Sequence, residues 1–377
     1  MDQDTADFIV IGAGIGGASV AYWLAHQARV IVLEGESQPG YHSTGRSAAL
    51  FMESYGPDQV RALTRASLDF FNNPPPGFCA HPLLSPRGAF VFATPGQEAA
   101  LDEHEALVRA TSSAAERLDA RAALELVPVL RPEAVVAGVL EKDAADIDVD
   151  ALLQGFLRGV RQHGGRTVFD AAAGSMRRSD GLWTVATRAG EFRAPVVVNA
   201  AGAWADALAR LAGAAPVGLV PKRRSAFIFA PPEGVDATGW PLFLDVAESF
   251  YIKPDAGMLL GSPCNADPVA PHDVQAEELD VAIAIDAIER LTTLRIRRPS
   301  HVWAGLRSFV ADGELVGGFD PALSGFFWAA GQGGYGIQSA PGAGRYYASM
   351  LLGEEPDPRL AHWGFDPGRI SPSRFPA

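Results

Sequence analysis

The sequence predicts an α/β fold: a Rossmann-type parallel sheet assembled from separated segments, with an inserted α+β domain built on an antiparallel sheet. Three observations predict it. An apolar strand at 8–11 leads into the spacing Gly12-x-Gly14-x-x-Gly17, which opens a helix in nucleotide-binding βαβ units. Further along the chain, short strands are joined by turns such as 254–257, as in antiparallel sheets. Other apolar runs typical of buried strands lie near residues 30, 166, 196 and 326.

Each glycine of the first turn has a separate task. Gly12 allows the tight turn, Gly14 lets the backbone approach a pyrophosphate, and Gly17 brings helix and strand together. The helix that begins at Ile15 meets phosphates with free N–H groups and the positive end of its dipole. The next strand ends at Glu34, about 20 residues after Gly12, where a carboxylate can accept from both ribose hydroxyls. A glycine-rich helix entry without a ligand is the alternative interpretation.

The polar segment 38–49 follows this second strand and is rich in small residues. Small residues allow backbone amides to lie against a ligand, and Arg46 adds a cation. Such clusters also occur in ordinary linkers. The position directly after the strand that ends at Glu34 favours a role in cofactor binding.

The remaining elements are predicted from apolar spacing, caps and turn residues. A helix capped by Asp148 or Asp150 ends near residue 162, and a hairpin is expected from 182–187 and 191–198. Other helices are expected at 15–27, 58–72, 97–110, 119–126, 204–211, 277–292 and 337–352. The elements divide into a cofactor-binding domain at 1–80, 145–220 and 305–377, and a substrate-binding domain at 81–144 and 221–304.

Composition excludes several classes of function. The 377 residues are 48% hydrophobic and 20% charged, as in an ordinary soluble globular protein. The net charge of −13 argues against nucleic acid or anionic lipid as a partner. The sequence contains no run of about 18 apolar residues, so no membrane-spanning segment is expected. Cys79 and Cys264 are far apart and without metal-site spacing, so free thiols and no metal are expected. The acidic start at Met1 does not resemble a signal peptide, which predicts a cytoplasmic protein.

A second glycine turn, 331–336, precedes the C-terminal helix. Its helix dipole can point at another site of negative charge, such as the edge of a reduced flavin. A nicotinamide enzyme has no comparable need, so the pair of turns favours FAD over NAD. A purely structural turn before a helix is the alternative.

Four motifs, at 11–17, 42–49, 199–202 and 332–337, resemble the D-amino-acid oxidase/glycine oxidase family of FAD-dependent amine oxidoreductases. The resemblance covers nearly the whole chain. It implies FAD as cofactor and hydride transfer from Cα of a D-amino acid to flavin N5. The imino acid then hydrolyses to a 2-oxo acid and ammonia. Longer stretches are similar to one member, bacterial D-arginine dehydrogenase: 81–87, 221–230, 255–263 and 303–308.

The resemblance also implies residue roles at the substrate site. Arg224 and Arg307 match positions that hold the substrate carboxylate, and Tyr251 matches a tyrosine on the same group. Tyr55 matches a substrate-covering tyrosine in a mobile loop, and Gly334 matches a backbone carbonyl that receives the amine. An arginine fork suits a carboxylate on chemical grounds as well. On the residues alone, Arg224 fits a solvated basic run equally, and the tyrosines fit a core.

The expected cofactor contacts lie in all three segments of the parallel sheet. Covalent attachment through His42 occurs in some flavin amine dehydrogenases, but the segment after it matches the non-covalent form. No acid or base residue is assigned, because hydride abstraction from a neutral amine requires orientation rather than a base. The expected contacts are Gly12, Gly14, Gly16, Gly17, Glu34, Gly35, Ser43, Thr44, Arg46, Ser47, Ala48, Ala49, Ala173, Ala201, Gly202, Trp204, Gly331, Gln332, Gly333, Gly334, Tyr335, Gly336 and Ile337.

Departures from the arginine-selective relative concern the substrate side chain. That relative has an acidic residue where this chain has Ala89. Without a carboxylate partner, a bound guanidinium gains little for its desolvation, so a neutral, hydrophobic D-amino acid is predicted. Glu53 and Glu248 are the alternatives that can restore the charge. The other pocket positions are apolar: Leu50, Met52, Leu242 and Leu244.

Three interpretations of function stay open on the sequence. The first is a D-amino-acid dehydrogenase, with a quinone as electron acceptor, or an oxidase that uses oxygen. The second is a related flavoprotein for glycine, sarcosine or a 2-hydroxy acid, because two arginines fit any carboxylate substrate. The third is a non-catalytic nucleotide-binding protein, which leaves the second glycine turn and Arg307 without an explanation.

Overall fold

The computed structural model describes residues 4–112 and 114–375; residues 1–3, used to argue against a signal peptide, lie outside that range. The helices are α1 (Ile15–Ala25), α2 (Asp58–Asn72), α3 (Glu98–Thr111), α4 (Ala120–Leu126), α5 (Val149–Gln162), α6 (Ala205–Ala212), α7 (Glu278–Leu291), α8 (Gly336–Leu352) and α9 (Arg359–His362). The predicted helices lie within a few residues of these bounds. Asp119 and Asp148 cap α4 and α5 through backbone N–H groups.

The strands form two large and two small sheets. They are β1 (Phe8–Ile11), β2 (Val30–Leu33), β3 (Leu50–Phe51), β4 (Leu84–Pro86), β5 (Ala89–Ala93), β6 (Ala115–Asp119), β7 (Ala137–Glu141), β8 (Ala145–Ile147), β9 (Arg166–Val168), β10 (Ser175–Ser179), β11 (Leu182–Thr187), β12 (Gly190–Ala194), β13 (Val196–Asn199), β14 (Val220–Phe229), β15 (Leu242–Asp245), β16 (Tyr251–Asp255), β17 (Met258–Ser262), β18 (Asp267–Pro268), β19 (His301–Phe309), β20 (Val316–Phe319) and β21 (Phe326–Ala330).

The six-stranded sheet has the order β20-β21-β13-β1-β2-β9. All its pairs are parallel except β20 with β21. Phe8 lies beside Val196 on one side and Val30 on the other, and all four residues of β1 are buried. A strand covered on both faces requires such a continuous apolar run. The predicted parallel sheet from separated segments is therefore confirmed, with β20 as an additional antiparallel edge strand.

The second large sheet has the order β18-β14-β17-β16-β15-β5-β7-β6, with β19 also paired to β14. Its pairs are antiparallel except β15 with β5. A small sheet of β3, β8 and β4 is built from segments around residues 50, 85 and 146. The predicted domain boundaries remain a proposal, and β19 (His301–Phe309) extends across the proposed boundary at 304/305.

Two predictions of local structure need correction. The second hairpin strand ends at Ala194 rather than 198, because Pro195 has no N–H for the ladder. Val196–Asn199 belongs to the parallel sheet as β13, and β10 completes a three-stranded antiparallel sheet with β11 and β12. Helix α9 was not predicted, and neither were strands β3, β6, β8, β10, β15, β18, β19 and β20. Most of these strands are short or carry charged or glycine residues.

Helix α8 lies against α1 at very short distance. The Ser19 hydroxyl on α1 donates to the Ala340 carbonyl at 2.6 Å. A Cβ at Gly344 would lie 2.1 Å from the Ser19 hydroxyl oxygen. This contact joins the two helices that follow the two glycine turns. No helix in residues 4–112 and 114–375 is long and apolar enough to cross a membrane.

We expect Gly344→Ala to lower the free energy of unfolding by about 2 kcal/mol, because an added methyl group overpacks the α1–α8 contact. Urea unfolding of the FAD-loaded protein measures the change. Gly239→Ala is the control, since a Cβ there meets nothing within 4 Å. Equal midpoints for the two variants would contradict the prediction.

Candidate active site

A cavity of about 570 Å³ lies between the two large sheets. Ile11 and Leu33 border it from the last positions of β1 and β2. Arg224, Tyr251 and Arg307 border it from the second large sheet. Ligand sites of open parallel sheets lie at the carboxyl ends of the strands, as here. The cavity therefore connects a nucleotide-binding edge with a group of cationic and phenolic side chains.

Two glycines of the first turn, Gly12 and Gly17, lie too close to neighbouring backbone to carry a side chain. A Cβ at Gly12 would lie 2.3 Å from the Ala200 carbonyl oxygen, and one at Gly17 would lie 2.0 Å from the Gly12 oxygen. Gly12 also has φ +109°, a conformation that favours glycine. Gly14 and Gly16 line the cavity, and Gly17 does not. Gly17 thus has the predicted task of close packing.

Glu34 lines the cavity just after the end of β2, and its carboxylate is held by two backbone N–H groups. One carboxylate oxygen accepts from the Ala13 N–H at 2.7 Å, and the other accepts from the Glu36 N–H at 3.0 Å. Each oxygen retains a second lone pair for a hydroxyl group. Thr44 is buried, and its hydroxyl oxygen accepts from the Ile15 N–H at 3.0 Å, while the Ala18 N–H donates to the Gly14 carbonyl at 2.9 Å. The N–H groups of Gly16 and Gly17 between them are the ones that the first turn of α1 offers to a ligand.

Arg46 lines the cavity, but its charge is already paired. Its guanidinium contacts Asp273 at 2.5 Å and donates to the carbonyls of Val274 and Ala304. The cation that the sequence suggested for the cofactor is thus neutralised, and Arg46 joins the 38–49 segment to β19. His42 lies 2.9 Å from a Glu36 carboxylate oxygen.

The second glycine turn faces the first across Gln332. A Cβ at Gly16 would lie 3.3 Å from the Gln332 amide nitrogen, and one at Gly336 would lie 3.1 Å from its oxygen. That oxygen is buried and has no hydrogen-bond partner within the described chain. A buried acceptor without a donor in a cavity between two helix N-termini fits a polar cofactor such as FAD.

The turn also contacts the strand that carries Arg307. The Gly333 N–H donates to the Ser308 carbonyl at 2.9 Å. Arg307 donates from Nη1 to the Tyr55 hydroxyl at 3.2 Å. A Cβ at Gly334 would lie 2.9 Å from that same Nη1 and 3.0 Å from the Tyr55 oxygen. The structure therefore brings Tyr55, Arg307 and Gly334 into contact distance.

Arg224 lies on β14, the strand next to Arg307, and donates from Nε to the Asn265 carbonyl at 2.7 Å. Burial and the neighbouring Arg307 guanidinium lower the pKa of Arg224 from its usual range. Burial raises the pKa of Tyr251, so its phenol stays protonated and can donate. Within residues 4–112 and 114–375, neither arginine forms an ion pair with a carboxylate. Two like charges without a counter-ion make this end of the cavity suitable for an anion.

Most of the expected cofactor residues border the cavity. The exceptions are Gly17, Ala49 and Tyr335, whose hydroxyl donates to the Gly313 carbonyl. Tyr55 reaches the site through Arg307 rather than as part of the cavity wall. None of the expected side-chain pocket residues borders it: Leu50, Met52, Ala89, Leu242 and Leu244. Leu242 and Leu244 do pack in an apolar cluster with Tyr251.

The two acidic alternatives for Ala89 are engaged or exposed. Glu53 forms an ion pair with Arg65 at 3.1 Å, and Glu248 is exposed with φ +54°. The sequence-based reasoning missed Glu141, a buried carboxylate beside Ala89 on the neighbouring strand β7. A charged residue at the end of an apolar strand is usually exposed, so only strand register identifies it.

Burial raises the pKa of Glu141 to about 7 from an ordinary 4.5. A raised carboxyl pKa means that the folded state binds the proton more tightly, so stability falls as pH rises from about 4.5 to about 7. We expect the free energy of unfolding of Glu141→Gln not to show this decrease with pH. Urea unfolding at several pH values measures it. Glu116→Gln, a half-exposed control on β6, should follow the wild-type curve. A wild-type slope in the Glu141 variant would contradict the assignment.

The fold and the site together define a class of protein. A Rossmann-type sheet with two glycine turns, joined to a cationic site on a second sheet, is the architecture of a dinucleotide-dependent oxidoreductase. The family model described as FAD dependent oxidoreductase (DAO) matches residues 7–350, and the chain belongs to this family. FAD is therefore its cofactor, and a non-catalytic interpretation is set aside.

Relatives agree with this assignment. The chain is 24% identical over 404 residues to FAD-dependent oxidoreductase domain-containing protein 1 of Mus musculus, over 93% of this chain and 82% of that protein. It is 25% identical over 405 residues to mitochondrial dimethylglycine dehydrogenase of Mus musculus, over 99% of this chain but 44% of that protein. A glycine oxidase structure from Geobacillus kaustophilus superposes with TM-score 0.86 at 21% identity, over 100% of both chains, which confirms the fold.

Proposed function

We propose that the chain catalyses FAD-dependent oxidative deamination of a D-amino acid with a neutral, hydrophobic side chain. The products are an imino acid, which water hydrolyses to a 2-oxo acid, and ammonia. The observation that carries the proposal is the pair Arg224 and Arg307, which border the cavity without a carboxylate partner in the described chain. A substrate carboxylate supplies the missing negative charge and matches the planar guanidinium groups.

Each contact residue has a defined task in this proposal. Arg224, Arg307 and the Tyr251 phenol bind the carboxylate, and the Gly334 carbonyl accepts from the substrate amine. Tyr55 covers the bound substrate and holds the Arg307 guanidinium in place. FAD supplies the hydride acceptor when it is bound. Fixing both the carboxylate and the amine selects which face of Cα is presented, which is how such a site distinguishes enantiomers.

The cofactor is held by the two glycine turns, Glu34 and the residues of 43–48 that border the cavity. The contact between His42 and Glu36 occupies one imidazole nitrogen. We infer non-covalent binding, and release of free FAD on acid denaturation tests it. Reoxidation by a quinone and a cytoplasmic location remain predictions from the sequence.

The preference for a neutral side chain rests on the apolar face beside the arginines. Ala226 and Tyr251 border the cavity there, and Leu260, Leu242, Leu244 and Trp303 pack behind them in one apolar cluster. Ala89 itself places no charge on this face, and the Glu141 carboxyl beside it is buried against Ser54 and does not border the cavity. A cationic side chain would lose its hydration against such a surface.

Glycine or an N-methylated glycine is the second candidate substrate. The names of two similar proteins, dimethylglycine dehydrogenase and glycine oxidase, favour it. The arginine pair binds the carboxylate of either class. A 2-hydroxy acid shares the carboxylate but has no amine for the Gly334 carbonyl.

We expect anaerobic bleaching of the flavin by D-leucine, D-methionine and D-phenylalanine, and little by their L-enantiomers, because the carboxylate and amine contacts fix one face of Cα. The same panel includes D-arginine, glycine, sarcosine, dimethylglycine and glycolate. Faster bleaching by D-arginine would contradict the neutral pocket, and bleaching by sarcosine or dimethylglycine alone would favour the second candidate. Comparing peroxide yield with dye reduction identifies the electron acceptor.

We expect Arg307→Lys to raise KM for the best substrate by about tenfold or more, because an ammonium cannot replace a bidentate guanidinium contact. Steady-state kinetics and the flavin content of the purified variant measure the effect. Arg223→Lys is the matched control, because Arg223 faces away from the cavity and pairs with Asp280. An unchanged KM in Arg307→Lys would remove the basis of the proposal.

A further inference from the structure

Glu141 lies on the same face of the second large sheet as the substrate arginines. It pairs with Ala89 on β5, and Ala89 pairs with Leu242 on β15. Leu244, two residues further along β15, pairs with Tyr251. Directly paired residues point to the same side of a sheet. Glu141 is 2% exposed, so other parts of the chain cover its carboxyl group on this face.

The residue that covers Glu141 is Ser54. The Ser54 hydroxyl donates to one carboxyl oxygen of Glu141 at 2.5 Å. The other oxygen is buried and has no hydrogen-bond partner in the part of the chain that the structure describes. The charged neighbours of Glu141 are themselves acidic: Asp143, which accepts from Ser112, and Glu53, which is paired with Arg65. Ser54 is thus the group that compensates the burial of Glu141.

Ser54 directly precedes Tyr55, whose hydroxyl accepts from Arg307 at 3.2 Å. The backbone of this segment is held by Gln338 on α8, which accepts from the Met52 N–H and donates to the Tyr55 carbonyl, both at 3.2 Å. The Ser54 backbone N–H also interacts with the Glu141 carboxyl group. The side chain of residue 54 is held by Glu141 alone among the contacts described. Adjacent residues share one peptide plane, so the position of Ser54 restricts that of Tyr55.

We propose that Glu141 is a positioning residue: by holding Ser54 it sets the place of the Tyr55 hydroxyl on Arg307, and thereby the affinity of the site for the substrate carboxylate. The inference rests on the proposed role of Arg307 in carboxylate binding. Glu141 does not contact substrate in this arrangement. Its loss therefore raises KM more than it lowers kcat.

A double-mutant cycle on the FAD-loaded protein tests the proposal. The probe is benzoate, a carboxylate that cannot be oxidised at Cα, and its Kd is measured from the flavin absorbance. We expect Glu141→Gln and Tyr55→Phe each to weaken benzoate by about tenfold, as for loss of a hydrogen bond to a charged group. The double variant should bind no more weakly than Tyr55→Phe alone, since both changes act through one contact. Additive losses would overturn the proposal.

The pH dependence provides an independent readout. Benzoate keeps its charge near neutral pH, whereas burial and the neighbouring carboxylates raise the pKa of Glu141 to about 7. Protonation weakens the hydrogen bond that Glu141 accepts from Ser54. Wild-type affinity for benzoate should therefore fall as pH drops through about 7, and Glu141→Gln should show no such fall. A fall of equal size in the variant would overturn the proposal.

Controls separate this proposal from the proposed function. Ser54→Ala leaves the Glu141 carboxyl in place and should reproduce the loss of benzoate affinity. This variant tests the proposal even if Glu141→Gln folds poorly. Glu116→Gln, on the neighbouring strand and paired with Lys142, should bind benzoate like the wild type. If the wild-type protein binds benzoate and neither Glu141→Gln nor Ser54→Ala weakens that binding, the positioning role of Glu141 is overturned and the proposed function is not. A wild-type protein that neither binds benzoate nor oxidises any amino acid would overturn both.

Discussion

The contact on which the site depends is the approach of Arg307 to the glycine turn 331–336. A Cβ at Gly334 would lie 2.9 Å from Nη1 of Arg307 and 3.0 Å from the Tyr55 hydroxyl oxygen. Because glycine has no Cβ, both groups can approach the backbone of the turn this closely. The Gly333 N–H bond to the Ser308 carbonyl joins the same turn to β19. Through these two contacts the second large sheet meets the turn that follows β21, the last strand of the parallel sheet. The cofactor cavity and the cationic group become one space as a result.

Charge is distributed unequally around that space. Alternation along β14 sends Arg223 to the outer face, where Asp280 and Glu277 neutralise it, and Arg224 to the cavity, where no carboxylate in the described ranges does so. Burying guanidinium groups without a counter-ion is unfavourable unless a ligand supplies the opposite charge. The Asn265 carbonyl and the Tyr55 hydroxyl satisfy single N–H groups but bring no charge. The site is thus electrostatically incomplete without an anion.

Local patterns carried the prediction of the fold. The two glycine turns, the apolar strands and the caps at Asp119 and Asp148 depend on neighbours in sequence, so their spacing is sufficient to identify them. The hairpin boundary at 198 was wrong because two adjacent strands, separated by Pro195, belong to different sheets. The charge of Arg46 shows the same limit, since its partner Asp273 lies more than 200 residues away.

The substrate side was less accessible to sequence reasoning. The family resemblance indicated a carboxylate site at Arg224, Arg307 and Tyr251. Which residues of Lys222-Arg223-Arg224 face the cavity, however, could not be predicted before the register of β14 was known. The argument from Ala89 considered acids near in sequence, Glu53 and Glu248. The nearest acid is Glu141, which strand pairing brings beside Ala89.

The parallel sheet and its two glycine turns were predictable from local sequence, because a tight turn, a helix N-terminus and an apolar strand are short-range features of the chain. Sheet register and long-range packing set which arginine faces the cavity, which cation is already paired and which carboxylate is buried beside Ala89. Those properties depend on sheet register and on contacts between distant segments. No local spacing encodes them.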